Sequence, residues 1–424
     1  MASPVNPPRG MRDFLPADKA RRERVLGVIR SVFSSHGFDE IETPVMEDSA
    51  RLHAGLGGDN EKLAFGVLKR GLTPADFAAA TDALDLADLG LRFDLTVPLA
   101  RFYASHRAEL PTVFRAIQAA PVWRAERPQK GRYRQFVQCD IDIIGEAGPL
   151  AEIELLTATA DTFAALGLTG CTIRINDRRL LIGMLDILGF ATESYDQVLI
   201  TIDKLDKVGQ DGVISELRER GVDASAVDAL EEFFGRPQTM EFLSFGERAI
   251  RKALPAGADD AVVAELVAIG QAVGAVGIEF DPFLVRGMGY YTGTIFEIVH
   301  PDLPYSLGGG GRYDGMIGRF LGVDVPAAGF SIGFERIVDL VTLHDGTASG
   351  GVALVYDSDV TSATLMRLKA ELIASGRRVR LERAPRNLKP LLAQLEASGF
   401  VEMAAVSKHV VAVADLRMRK LAAE

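Results

Sequence analysis

The 424-residue chain predicts an α+β fold, and three features of its sequence carry that expectation. Runs in which apolar and polar residues alternate with period two lie on both sides of a stretch, residues 194–276, that is helical in texture and poor in strand signals. Beyond a Gly/Ser/Thr linker at 346–351, short apolar runs alternate with helical patterns, which argues a small α/β domain with a mostly parallel sheet. The composition, 48% hydrophobic and 25% charged, is that of a globular protein with a large core.

The formal net charge of -11 excludes a broadly basic, nucleic-acid-coating surface, though a local basic patch can still contact phosphates. Cys139 and Cys171 are too few for a disulfide framework or a thiolate zinc site, which fits a reducing compartment. His36, His53, His106, His300, His344 and His409 show no metal-ligand spacing, so no metal site is expected from a side-chain cluster. The N-terminus lacks an apolar signal core, and no stretch has the roughly 18 apolar residues of a membrane span. A cytoplasmic protein without membrane contact is the expectation.

Pro7 to Pro16, PPRGMRDFLP, is irregular because of its prolines. Val25, Leu26, Ile29, Val32 and Phe33 recur at helical spacing and predict a helix over 20–36, stopped by Gly37. GFDEIETPV then reads as a strand from Phe38 that ends near Pro44. A loop at 55–60 and a short helix within 73–88 precede LRFDLTVPLARF. That run predicts a strand with Arg92, Asp94 and Thr96 on one face and Leu91, Phe93, Leu95 and Val97 on the other. The polar triplet suits a ligand floor, and an exposed sheet face would show the same alternation.

Pro121 to Glu146, PVWRAERPQKGRYRQFVQCDIDIIGE, divides into an apolar entry ending at Trp123, a basic loop and a strand. Arg124, Arg127, Lys130, Arg132 and Arg134 crowd the loop, where Pro128 and Gly131 force a turn. Such a set of cations suits anionic oxygens, the plainer alternative being a solvated hairpin. In the strand, Gln138, Asp140 and Asp142 share one face, and Val137, Cys139, Ile141 and Ile143 the other.

Helices are expected over 149–166 and 179–188, with a strand at 172–176 between them, and strands return from Asp281. There Arg286 precedes the pair Tyr290 and Tyr291, and an arginine in a strand is either a phosphate ligand or a surface ion-pair partner. Gly308 to Gly311 let backbone approach a ligand or form a loose turn, and the spacing is neither that of a dinucleotide loop nor of a Walker loop. AAGFSIGFERI, Ala327 to Ile337, reads as a strand running into a helix, with Gly329 and Gly333 leaving room for a ligand. After the linker, strands are expected at 352–356, 378–382, 404–406 and 410–413, and helices at 362–375 and 387–398.

RAERP followed by GRYRQF and QCD closely resembles motif 2 of class II aminoacyl-tRNA synthetases, in the form typical of the histidyl-tRNA synthetase family. LRFDLTVPLAR is similar to the histidine-binding segment of the family's eukaryotic and archaeal type. RGMGYYTG and GGGGRYDG resemble its two histidine signatures, AAGFSIGFERI resembles motif 3, and the helix leading into the strand before Pro44 resembles motif 1. The motifs stand in the family's order from about Pro7 to Leu340. One departure is Gly289, where the family pattern has Asp before the tyrosine pair.

The resemblance implies a class II core with an antiparallel sheet, in two parts over 1–193 and 277–344, a helical insertion at 194–276, and a shortened anticodon-binding-like α/β domain at 351–424. It implies formation of histidyl-adenylate from L-histidine and ATP, with Mg2+, and transfer to tRNA(His) by a homodimer. By the same correspondence Arg124 and Arg286 are catalytic at the α-phosphate. Asp94, Thr96 and Gln138 take the histidine ammonium, and Asp142 with Tyr290 and Tyr291 the side chain. Glu126 and Arg336 join the two catalytic arginines at ATP, and Arg127, Lys130, Arg132 and Arg134 meet the tRNA acceptor stem. The rival reading is a non-catalytic paralogue that regulates ATP phosphoribosyltransferase in histidine biosynthesis. Intact Arg286 and motif 2 speak against it, and the short C-terminal domain leans toward it.

Overall fold

The computed structural model describes residues 5–53, 62–128, 131–236, 243–273, 277–286, 290–342 and 351–421. Its contacts divide the chain into two units, residues 1–12 with 25–341 and residues 13–24 with 342–424. The loop expected at 55–60, Lys130, Gly289 and nearly all of the linker lie outside the described residues.

The first unit carries strands β1 (Asp39–Glu40), β2 (Met46–Asp48), β3 (Phe65–Leu68), β4 (Ala87–Leu91), β5 (Phe114–Trp123), β6 (Gln135–Ile144), β7 (Thr172–Asp177), β8 (Leu243–Ser244), β9 (Gly277–Phe280), β10 (Thr294–Val299), β11 (Gly308–Arg312) and β12 (Ala327–Ile332). Among the described residues the main sheet runs β1-β5-β6-β12-β11-β10-β7-β9-β8, and β2-β4-β3 form a small second sheet. From β5 to β7 every neighbour is antiparallel. Among the described residues of this sheet, parallel pairing occurs only toward the edges, at β1–β5 and β7–β9. Helix Leu150–Ala165 packs against β6 and β12. Its Ala151, Leu155, Leu156 and Ala158 are buried, as are Cys139, Ile141 and Ile143 on the apolar face of β6. Residues 195–273 carry the helices Tyr195–Ile202, Leu205–Glu219, Ala224–Phe234, Glu247–Ala253 and Asp260–Val273.

Several expected elements differ. LRFDLTVPLARF is not one strand: β4 ends at Leu91, residues 92–95 are irregular, and Thr96–His106 is a helix. The Asp94 carboxylate accepts the Val97 N–H at 3.2 Å, capping that helix, and Pro98 sits in its first turn, where proline is tolerated. The apolar positions Val97, Leu99, Ala100 and Tyr103 are all buried, a pattern that suits a helix packed on more than one side. The strand expected over 38–44 is only Asp39–Glu40, and the N-terminal helix starts earlier than expected, at Pro16, running Pro16–Ser35. Arg286 lies in an irregular segment before β10 and not in a strand.

The glycine run is neither a loose turn nor a loop. Gly308 to Gly311 form β11, an inner strand of the main sheet with every residue buried. Glycine normally weakens a strand, so its presence marks close approach. A Cβ at Gly309 would overlap the Arg286 guanidinium, one at Gly310 the Gly329 carbonyl, and one at Gly329 the Asp142 carboxylate.

In the second unit β13 (Gly351–Tyr356), β14 (Val379–Arg383), β15 (Phe400–Val406) and β16 (Arg419–Lys420) form a sheet in the order β14-β13-β15-β16. The first three strands are parallel and β16 is antiparallel. Alternation along β13 sends Val352 and Leu354 to Leu365, Leu368 and Leu372 of helix Ser362–Ala374, and Ala353 and Val355 to Leu395 of helix Leu388–Ala397. The strand expected at 410–413 is absent, because Asp415 accepts the backbone N–H groups of Val411 and Ala412 and holds a tight turn instead.

Gly310→Ala is expected to cost about 3 kcal/mol or more, since its Cβ meets backbone that cannot swing away. Gly315→Ala, in helix Asp314–Leu321 with open space around its Cβ, is expected to be neutral or to stabilise by up to about 1 kcal/mol. Chemical denaturation of the two variants checks the contrast, and equal losses would contradict it.

Candidate active site

Residues paired across a sheet share a face. Gln138, Asp140 and Asp142 of β6 therefore lie on the same side as Gly329 and Ser331 of β12, which pair with Asp142 and Asp140 respectively. A cavity of about 540 Å3 opens over this floor. Gln138, Asp140 and Asp142 are only 9%, 3% and 3% exposed, so the polar row is buried as deeply as the apolar row behind it.

One wall is the irregular segment 92–95, which is held by hydrogen bonds to its carbonyls and side chains. Gln118 Nε2, on β5, donates to the Leu95 carbonyl at 3.0 Å, and Arg124 Nε to the Phe93 carbonyl at 2.9 Å. Arg92 is buried and faces away from the cavity: its Nε donates to Pro121 O at 3.0 Å and its Nη1 to Thr43 O at 2.7 Å. Arg92 thus staples the wall in place, while Asp94 and Thr96 line the cavity. The one-face arrangement expected for Arg92, Asp94 and Thr96 required a strand that is not formed.

The floor is electrostatically tense. Burial pushes the Asp142 carboxyl up to about 7, opposed by a hydrogen bond from Tyr313 Oη at 2.5 Å. Asp142 Oδ2 is buried and, among the described residues, has no hydrogen-bond partner, an acceptor on the cavity wall. Burial, and then the charge of Asp142, raise Asp140 well above the usual carboxylate range. Tyr290 and Tyr291 stand with ring centroids 4.4 Å apart, Tyr290 Oη donating to Tyr291 Oη at 3.3 Å.

Cations occupy the opposite side. Arg286 Nη1 bonds Glu297 Oε2 on β10 at 2.6 Å, and its guanidinium lies over the bare backbone of Gly309. Arg124 lies 5.1 Å from the Phe136 ring, with Nη2 3.5 Å from Gln138 Oε1. Arg336 Nη1 donates to the Ser306 carbonyl at 2.5 Å. Burial and the charges of Arg286 and Arg132 lower the Arg336 pKa, so three guanidinium groups share one neighbourhood. Arginine keeps its charge there and presents a rigid donor fork to phosphate oxygens.

Of the residues expected at the site, Asp94, Thr96, Arg124, Glu126, Arg132, Gln138, Asp142, Arg286, Tyr290, Tyr291 and Arg336 all line this cavity. Arg127 is exposed and Arg134 supports the hairpin, its Nε donating to Glu126 O at 3.0 Å; neither is among the lining residues. Sequence reasoning missed Tyr313, Ser331 and Glu335. Glu335 is buried, accepts the Val137 N–H at 3.2 Å and pairs with Arg12. Tyr313 follows the glycine strand directly, and its partner Asp142 is 171 residues away in sequence, so only the tertiary fold reveals the contact.

The match to known proteins extends over most of the chain. Residues 10–337 match the family model described as histidyl-tRNA synthetase. A histidine–tRNA ligase from Leifsonia xyli subsp. xyli is 61% identical over 98% of this chain and 99% of the relative. The crystal structure of histidyl-tRNA synthetase from Nostoc sp. PCC 7120 superposes with a TM-score of 0.77 at 25% identity, covering 99% of this chain and 95% of that one. An ATP phosphoribosyltransferase regulatory subunit/histidyl-tRNA synthetase from Bacillus halodurans shares the fold, with a TM-score of 0.76 at 20% identity over 97% of this chain and 100% of that one. A polar floor, an unpartnered buried acceptor and a wall of arginines in one cavity agree with these matches, and the chain belongs to the histidyl-tRNA synthetase family.

Proposed function

We propose that this chain is a histidine–tRNA ligase that activates L-histidine with ATP and transfers the histidyl group to tRNA(His). The observation that carries the assignment to this cavity is Asp142 Oδ2, a buried acceptor lacking a partner, facing the same space as Arg124 and Arg286. An imidazole N–H supplies the missing donor, and Tyr291 serves the other ring nitrogen, with Tyr290 beside it. Asp94, Thr96 and Gln138 receive the α-ammonium. A site that would bury unpaired polar groups around any other side chain rejects it strongly.

In the first step a histidine carboxylate oxygen bonds to the α-phosphorus of ATP while the bond to pyrophosphate breaks. The reaction needs alignment and charge stabilisation more than acid or base. Arg124 and Arg286 hold the α-phosphate, and Arg336 and Glu126 hold the remainder of the nucleotide. In the second step a hydroxyl of the terminal tRNA ribose attacks the histidyl carbonyl and AMP departs. Among the described residues no cluster of three His, Cys, Asp or Glu side chains forms a metal cage. Mg2+ is commonly held by substrate phosphates with one or two carboxylates, and Glu126 on the cavity wall fits that role. When bound, the ion supplies further charge neutralisation at the phosphates.

Arg127, Arg132 and Arg134, together with Lys130 outside the described residues, are the cations proposed to meet the acceptor stem, and the helices of 195–273 are the candidates to close over it. The α/β domain at 351–424 is the candidate for anticodon contact. Exposed Met46 and Leu68 on the small sheet, with Val45 just before it, support burial against a second copy. The two free cysteines suit a cytoplasmic setting, and among the described residues no helix is long and apolar enough to cross a membrane. The regulatory-paralogue alternative is less well supported, given 61% identity to a ligase and an intact set of arginines.

Purified protein is expected to catalyse pyrophosphate exchange into ATP that depends on histidine, with Arg286→Ala slowed on the order of 10²- to 10³-fold. Exchange without histidine dependence, or unaltered in the variant, would sink the assignment. Sedimentation equilibrium is expected to give a mass about twice the 45.7 kDa of one chain; a monomer would refute the dimer. Between about pH 4 and pH 7 the folded chain keeps a proton on Asp142 that the unfolded chain has released, so this group makes the ligand-free protein less stable as pH rises through that window. Thermal melts across the window should show a smaller loss in Asp142→Asn than in the parent, and identical slopes would place the titration elsewhere.

A further inference from the structure

A carboxamide has one accepting and one donating end, and which end faces a ligand is decided by the partners of the other. Gln138 has such partners at both ends. Its Nε2 lies 3.2 and 3.4 Å from the two oxygens of Asp140 and 3.1 Å from Ser331 Oγ. Its Oε1 faces the other way, 3.5 Å from Arg124 Nη2. Asp140 is two residues along β6 from Gln138 and pairs with Ser331 across the ladder, so backbone geometry alone brings the three together. Gln118, the β5 partner of Asp140, has its own amide engaged with Leu95 O and Thr43 Oγ1.

We propose that Asp140 is a positioning residue: its carboxylate, whose ionised form the bound ammonium favours, accepts the Gln138 NH2 and thereby turns the Gln138 carbonyl oxygen toward that ammonium. The reverse orientation would press an NH2 against an NH3+ and leave two oxygens in contact at Asp140. The buried carboxylate thus acts on substrate polarity through its neighbour. Ser331 reinforces the arrangement, since its hydroxyl accepts from Gln138 and donates to Asp140.

The inference rests on the proposed role of Gln138 at the ammonium, and the test separates the two. Binding of L-histidine is compared with that of 3-(imidazol-4-yl)propionate, which lacks only the amino group. Asp140→Asn offers Gln138 a donor as well as an acceptor, so both orientations become satisfied. It is expected to weaken L-histidine roughly twofold, as the share of molecules whose carbonyl faces the substrate falls from nearly all to about half, while binding of the desamino analogue is unchanged. The double variant Gln138→Glu with Asp140→Asn presents an acceptor in either orientation and is expected to recover L-histidine binding. Equal weakening of both ligands, no weakening of L-histidine, or no recovery in the double variant would overturn the proposal. Gln138→Ala is the control. If it leaves the preference for L-histidine over the analogue intact, the ammonium role of Gln138 fails, and the role of Asp140 with it. If it abolishes that preference while Asp140→Asn leaves it unchanged, the role of Asp140 alone fails.

Discussion

The site depends on a constraint of space. An antiparallel sheet with ordinary side chains on both faces has no room for a substrate against its strands. Here β11 is glycine from 308 to 311, and Gly329 of β12 sits beside Asp142, so the floor over β6 stays open to side chains and ligand. The same vacancy lets the Arg286 guanidinium lie flat against Gly309. Glycine costs strand stability, and the long ladders of β5 and β6 and the buried helix Leu150–Ala165 on the opposite face offset that cost.

Burial then sets the electrostatics. Asp142 opposes the ionisation of Asp140 and Asp94 that of both, and Asp140 and Asp142 lie where water cannot relieve them. They are tolerated because each has a donor: Gln138 and Ser331 for one, Tyr313 for the other. The oxygen left over on Asp142 is the acceptor that a substrate can satisfy. Of the arginines across the cavity, Arg124 and Arg336 are restrained by the neutral carbonyls of Phe93 and Ser306, and Arg286 and Arg132 by the carboxylates of Glu297 and Glu126. Carbonyl partners orient a guanidinium without cancelling its charge, which keeps it available to phosphate.

Much of this was legible in the sequence where chemistry and local pattern coincide. The alternation along β6 and the crowding of arginines between Trp123 and Gln135 are both local features, and both survive folding. Residues 92–102 were misread because D-L-T-V-P-L satisfies the period-two template, whereas the capping of Val97 by Asp94 and the proline in the first turn point to a helix. Of the two readings of the glycine run, the loose turn fails and close approach to a cavity agrees with the lining by Gly308 to Gly310; the strand itself was not legible because glycine carries no pattern and its strand exists through pairing with β10 and β12. Tyr313 and Glu335 escaped for a related reason, their partners being distant in sequence.

The irregular wall at 92–95 ties the residues proposed for recognition to one proposed for catalysis. Arg124, which is proposed to hold the α-phosphate, also donates to the Phe93 carbonyl, one residue from Asp94. The same guanidinium approaches Gln138 Oε1. On the proposed assignment, a single arginine spans the phosphate region, the wall that carries Asp94 and the floor residue given to the ammonium. Moving it would disturb all of them together, so the two proposed subsites would not be independent. On that assignment a correctly seated amino acid is a condition for a correctly seated phosphate, since the contacts that fix the one orient the cation that serves the other.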